Sequence, residues 1–156
     1  MTVANTLQQH LTSQGVRFDV LEHPPAYSSS QTAQVCHVSG DQYAKAVVLK
    51  GDGGYVLAVL PASHHADLVS VRSLLQRDLE LASEAEASRI FADCETGALP
   101  ADGPAYGLET IVDESLAALS DVYIEGGDHR SLLHLSGSDF GRLLADARRG
   151  EFSRHD

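Results

Sequence analysis

Apolar positions recur with two different periods along this chain, and the switches between them predict its elements. Residues 3–14 place Val3, Leu7 and Leu11 on one face at helical spacing, with Gly15 as the stop. Val16 to Leu21 alternates as a half-buried strand does, and His23-Pro24-Pro25 breaks it. Ser28-Ser29-Ser30 offers N-caps for a short helix over Gln31 to Val35, which Gly40-Asp41 follows as a stop. Ala44 to Leu49 and Tyr55 to Leu60 are nearly continuous in hydrophobicity. That pattern predicts central strands buried on both faces, joined as a hairpin through Gly51-Asp52-Gly53-Gly54.

The second half reads as shorter pieces. Asp67 to Arg77 carries Leu68, Val71, Leu74 and Leu75 at helical spacing, and Leu79 to Leu81 is a short strand. Ser83-Glu84-Ala85-Glu86 has capping-box chemistry and opens a helix through Phe91. Strands over Thr110 to Asp113 and Val122 to Glu125 flank a helix from Glu114 to Leu119. Gly126-Gly127 turns into a last strand, Ser131 to Leu135, and Ser136 or Ser138 caps a final helix to about Arg148. Hairpin strands with interspersed short helices predict an α+β fold, one domain over residues 1–150, with residues 151–156 as a frayed tail.

Composition narrows the function classes. At 156 residues and 43% hydrophobic, the chain suits one soluble domain with a real core. No apolar run approaches the roughly 20 residues that span a bilayer, and no basic-then-apolar leader opens the chain, so a cytoplasmic location is expected. Cys36 and Cys94 follow neither a disulfide nor a metal spacing. The net charge of −11 argues against DNA or general nucleic-acid binding, because phosphate affinity comes from cationic side chains. Contact with RNA would be local, at an end or a loop, or a partner would supply the affinity.

The candidate chemistry starts with lysine usage. The chain has only two lysines, Lys45 and Lys50, both in Ala44-Lys45-Ala46-Val47-Val48-Leu49-Lys50. Lys45 reads either as a strand-end residue snorkelling to water or as a fixed ammonium that binds a phosphate, a carboxylate or a developing oxyanion. The segment from Thr96 to Gly107 contains three glycines and two prolines. It is either an ordinary surface loop or a rigid backbone frame for a small ligand. His64 and His65 are adjacent and point to different sides, which suits a polar loop better than a shared metal, although His64 follows a central strand and could line a pocket. His129, after Gly126-Gly127-Asp128, could reach a ligand from a turn, whereas His134 fits a hydrogen-bonded sheet position. Asp113-Glu114 reads equally as an acid/base pair or as a helix cap. Neither cysteine has an evident base, and no nucleophile elbow, phosphate loop or dinucleotide fingerprint is present.

Four segments in register carry a resemblance. They are Ala44 to Lys50, Leu60-Pro61-Ala62-Ser63-His64, Asp93-Cys94-Glu95-Thr96-Gly97-Ala98-Leu99-Pro100 and Val112-Asp113-Glu114-Ser115-Leu116. Together they resemble the YbaK and prolyl-tRNA synthetase-associated domain family over about residues 16–145. The resemblance implies a compact α+β domain around a mixed, curved sheet. It also implies a freestanding hydrolase that removes small, wrongly attached amino acids from tRNA without a cofactor or metal. The family's essential lysine falls on Lys45, and its GxxxP loop starts at Gly97, with the proline one position early at Pro100 and Ala101 in its expected place. The candidate substrate-contacting set joins the loop that the resemblance implies, Gly97, Ala98, Leu99, Pro100 and Gly103, with His64, Asp113 and His129 from the reading of the residues above. The implied partners are the 3′ end of an aminoacyl-tRNA and a synthetase or elongation factor that delivers it. Two other readings stand beside this one: a non-catalytic module binding an amino acid, nucleotide or peptide, and a metal hydrolase using His64, His65 or His129.

Overall fold

Three sheets and five helices make up a mixed α+β domain in the computed structural model, which describes residues 2–156. The centre is the predicted hairpin, β2 (Ala44–Gly51) and β3 (Gly54–Pro61), paired in antiparallel register with Lys45 opposite Leu60. The short strand β5 (Glu80–Leu81) extends it beyond β2. On the other side β6 (Glu109–Asp113) runs parallel to β3, and β9 (Arg148–Gly150) runs parallel to β6. The sheet order is therefore β5-β2-β3-β6-β9.

Both faces of this sheet are covered, which explains the unbroken apolar runs. Val48, Leu57, Val59 and Val112 face one core with Leu7 and Leu11 of α1 (Asn5–Ser13) and Phe140 and Leu143 of α5 (Gly137–Leu143). Leu49, Val56, Ala58, Leu60 and Ile111 face the other core, with Val71 and Leu75 of α3 (Leu68–Leu75) and Phe152. A second, antiparallel sheet of β1 (Asp19–Glu22), β8 (Ser131–Ser136) and β7 (Asp121–Glu125) packs Val122, Ile124, Leu133 and Leu135 into the first core. A bridge between Tyr43 and Tyr123 joins the two sheets.

Local chemistry sets the helix starts as expected. Ser28 caps α2 (Ser29–Val35), Asp67 caps α3, and Ser136 caps α5, each accepting backbone N–H groups. Ser83 and Glu86 complete a capping box on α4 (Glu84–Ile90).

The departures lie where long-range pairing overrides local preference. The final helix stops at Leu143 rather than near Arg148, because residues 148–150 leave it to line the free edge of β6. The expected helix after Asp113 is a single 3-10 turn, Glu114–Leu116. His64 to Ala66, read as a polar loop, form a strand, β4. Its partner is β10 (Ser153–His155), so the tail expected to fray is ordered instead. Phe152 is 1% exposed, its N–H donates to Asp113, and its carbonyl accepts from Asp67. Burying one such ring contributes about 2–3 kcal/mol, ample to hold six residues in place with the strand bonds. Among the described residues, no helix is long and apolar enough to cross a membrane.

Candidate active site

Lys45 is the second residue of β2, next to the buried Ala44, and it is half-buried. Its Nζ donates to the backbone carbonyls of His64, at 2.5 Å, and Ala62, at 3.5 Å. An ammonium has three N–H donors, so two are spent on orientation and one remains for a ligand. Burial pushes the Lys45 pKa below the ordinary lysine value, while the negative charge of Asp156, at the end of the tail, works against that shift.

The side chain opens onto a cavity of about 100 Å³ that Tyr27, Tyr43, Gly97, Leu99, Glu125 and His129 help to line. Pockets for drug-sized ligands run to about 300–1,000 Å³, so only a small group can enter here. A larger groove of about 340 Å³, beside Lys50, Asp52 and Arg72, sits at the turn end of the hairpin, away from Lys45.

The Gly97 loop is fixed from behind. Gly97 has φ +83°, a region that glycine enters without strain. The N–H of Glu95 donates to the Gly127 carbonyl, and His129 Nε2 lies 2.7 Å from the Thr96 carbonyl oxygen. His129 itself sits at φ +61°. That conformation is held by Asp128, whose carboxylate accepts the Arg130 and Ser131 N–H groups and the Ser131 hydroxyl. The other ring nitrogen, Nδ1, meets the Ala26 carbonyl at 3.1 Å. One buried histidine thus ties the Gly97 loop to the segment after Pro24-Pro25, and Tyr27 packs on its ring at 4.9 Å.

The remaining expected residues divide. Gly97, Leu99, His129 and Lys45 meet at the cavity. Ala98 and Pro100 turn inward and are buried. Gly103 serves packing: a Cβ there would lie 1.8 Å from Thr110 Oγ1. His64 meets the site through its carbonyl, while its ring binds Ser153 at 2.8 Å. Asp113 does not face the cavity. It accepts from Ser115 and from the Phe152 N–H, and although burial pulls its pKa up, these bonds hold it below the usual carboxylate value. It is a cap and a tether, and the acid/base reading falls away. Sequence reasoning missed most of the other lining residues, among them Tyr27, Thr32, Tyr43 and Glu125.

Burial pushes the Cys94 thiol up to about 12, and Cys36 is raised as well, so neither is an activated nucleophile. Asp41, His64 and His155 bring ligand atoms within 4.8 Å of one another at the surface beside the cavity and could hold a divalent cation there. They are not the His64, His65 and His129 set considered from sequence. His65 pairs with Asp156 at 2.8 Å, and His129 is across the site.

Solved structures with this fold include the hypothetical protein APE2540 (TM-score 0.85, 19% identity, 96% of this chain and 100% of that one). A candidate trans-editing enzyme for prolyl tRNA synthetase superposes with TM-score 0.83 at 22% identity, over 97% and 96% of the two chains. A signal transduction protein candidate from Marinobacter aquaeolei VT8 matches with TM-score 0.75 and 25% identity over 95% of this chain but 30% of its own length. No curated protein sequence matches. The family model described as the aminoacyl-tRNA editing domain matches residues 23–143, most of the chain and all of the cavity's lining, and the protein belongs to that family.

Proposed function

We propose that the protein is a freestanding, cytoplasmic aminoacyl-tRNA deacylase that hydrolyses the ester of a small, misattached amino acid. The observation that carries this reading is the meeting of Lys45 and the Gly97 loop at one cavity of about 100 Å³. An aminoacyl ester is already activated, so a positioned cation and an admitted water suffice. Lys45 would use its remaining N–H on the terminal phosphate or on the oxygen that gains charge as the ester becomes tetrahedral. The ribose hydroxyl of the substrate would help place the water, in keeping with a cavity whose lining residues include no cysteine. Size exclusion by Leu99, Tyr27 and the loop would then select small side chains.

A chain of net charge −11 attracts tRNA weakly, so a synthetase or elongation factor would deliver the substrate. The test is hydrolysis of a panel of charged tRNAs by the native protein and by Lys45→Ala. Loss of one charged species with the native protein alone is the expected result. Equal turnover by a folded Lys45→Ala variant would overturn the assignment. A non-catalytic binding module is the second reading, favoured by the two carbonyls that already occupy Lys45. It predicts ligand binding with no hydrolysis across the panel.

A further inference from the structure

Glu125 ends β7 with its carboxylate at the cavity, and the residue is only 5% exposed. An ionised carboxylate has about four acceptor positions. Here the donors it meets are two backbone N–H groups, that of Gly127 at 2.7 Å on Oε2 and, more weakly, that of Asp128, which leaves acceptor positions unfilled. Among the described residues no lysine, arginine or histidine forms an ion pair with it. The ring nitrogens of His129, which also lines the cavity, face the carbonyls of Ala26 and Thr96 instead. Asp128, also buried, adds repulsion, and burial together with that charge pushes the Glu125 pKa up. A desolvated carboxylate this poorly paired is costly in a folded protein unless something else supplies the positive charge.

The cavity defines what that can be. About 100 Å³ leaves little room for a guanidinium with its stem, and Glu125 is the only carboxylate among the cavity's lining residues, which is too few for a metal ion. A primary ammonium is compact and brings three donors to the unfilled acceptor positions. Lys45 lines the same cavity with the opposite charge. A site with an anion and a cation in one small space matches a molecule with an ammonium next to a carbonyl that becomes an oxyanion.

We infer that Glu125 is the subsite for the free α-ammonium of the acyl group, so that the cavity accepts α-aminoacyl esters and rejects N-blocked or α-hydroxy acyl esters of the same size. This rests on the proposed reading of the cavity as the place where an aminoacyl end binds. It assigns the amine to Glu125 rather than to the backbone of the Gly97 loop.

The test separates binding from hydrolysis. Alaninamide, which carries the ammonium, and lactamide, its neutral hydroxy counterpart, are titrated into the native protein and Glu125→Gln, with binding followed by NMR. The glutamine keeps an acceptor for the Gly127 N–H. The native protein should prefer alaninamide by about tenfold or more, the scale of one charge-assisted bond, and the variant should lose that preference. Hydrolysis of one small aminoacyl-tRNA, its N-acetylated form and the corresponding α-hydroxyacyl-tRNA is then compared, and in Glu125→Gln the preference for the free amine should fall mainly through KM. Equal binding of both amides by the native protein overturns the inference whether or not the variant folds, and so does a folded variant that keeps the native preference. Ammonium-selective binding without hydrolysis of any charged tRNA would leave the subsite standing and remove the deacylase. Hydrolysis indifferent to the amine would do the reverse.

Discussion

The imidazole of His129 stands between two carbonyl oxygens, 2.7 Å from that of Thr96 and 3.1 Å from that of Ala26. Two loops that are far apart in sequence are thereby set on either side of one cavity. His129→Ala should loosen the link between them, costing about 1–3 kcal/mol for the lost hydrogen bond of a buried side chain, while the backbone bonds from Ala26 to His129 and from Glu95 to Gly127 remain. Denaturant unfolding would show the stability loss. Turnover of a charged tRNA should fall further than stability alone explains, because the Gly97 loop then loses its side-chain anchor at Thr96.

Lys45→Met should lower turnover by at least about 100-fold, the scale of one lost electrostatic contact to a developing oxyanion. It should not lower the melting temperature. The Lys45 pKa lies below the ordinary lysine value, chiefly because of burial. A lysine depressed in this way contributes fully to stability only above its unfolded pKa, and that contribution is lost as pH falls through the folded one. At neutral pH its removal is therefore neutral or favourable to the fold. The same shift places the alkaline limb of the rate profile below 10.5, since turnover falls as the cation is lost. A profile flat through that range would contradict this.

Glu86 supplies an acid-sensitive lock on the opposite side of the hairpin. The Ser83 N–H, the Tyr55 hydroxyl and Lys50 all favour its ionised form and hold its pKa down to about 2, against an ordinary 4.5. The folded pKa is the depressed one, so this stability is present above 4.5 and is lost as pH falls from there toward 2. Glu86→Gln should flatten that part of the acid-unfolding curve, measured by far-UV circular dichroism. An unchanged acid midpoint would rule the lock out.

Phe152→Ala should cost about 3–5 kcal/mol, as expected for a buried aromatic ring in a core that cannot collapse around the gap. Deleting residues 151–156 should cost more, because β4 then loses its partner and the Asp67 N–H its acceptor. The deletion also takes away Asp156, which offsets the burial of Lys45. The alkaline limb should move to lower pH in a truncated protein that is still folded at low temperature.

The parts of the fold that were legible in the sequence are those whose cause is local. The hairpin announced itself in the glycines at 51, 53 and 54, and the caps Ser28, Asp67, Ser83 and Ser136 in their own side chains. β4, β9 and β10 were not legible: three-residue strands exist only because an edge far away in sequence accepts them. Within the site, Lys45 and Gly97 were found through rarity and turn chemistry. Glu125 was missed for a geometric reason. In β7, Val122 and Ile124 point into the core, so alternation puts Glu125 on the outward side with Asp121 and Tyr123. The cavity lies on that outward side and buries a residue that the period assigns to water.

The closing strands have a consequence for how the chain is born. β10 pairs with β4 and β9 with β6, so β4 beside the candidate site and the edge strand β6 of the central sheet wait for residues 148–155. On the ribosome, the hairpin and its helices can condense early, yet the Lys45 surroundings stay incomplete until residues 148–156 have left the exit tunnel. A nascent copy would therefore have a condensed centre while β4 and the free edge of β6 still lack their partners.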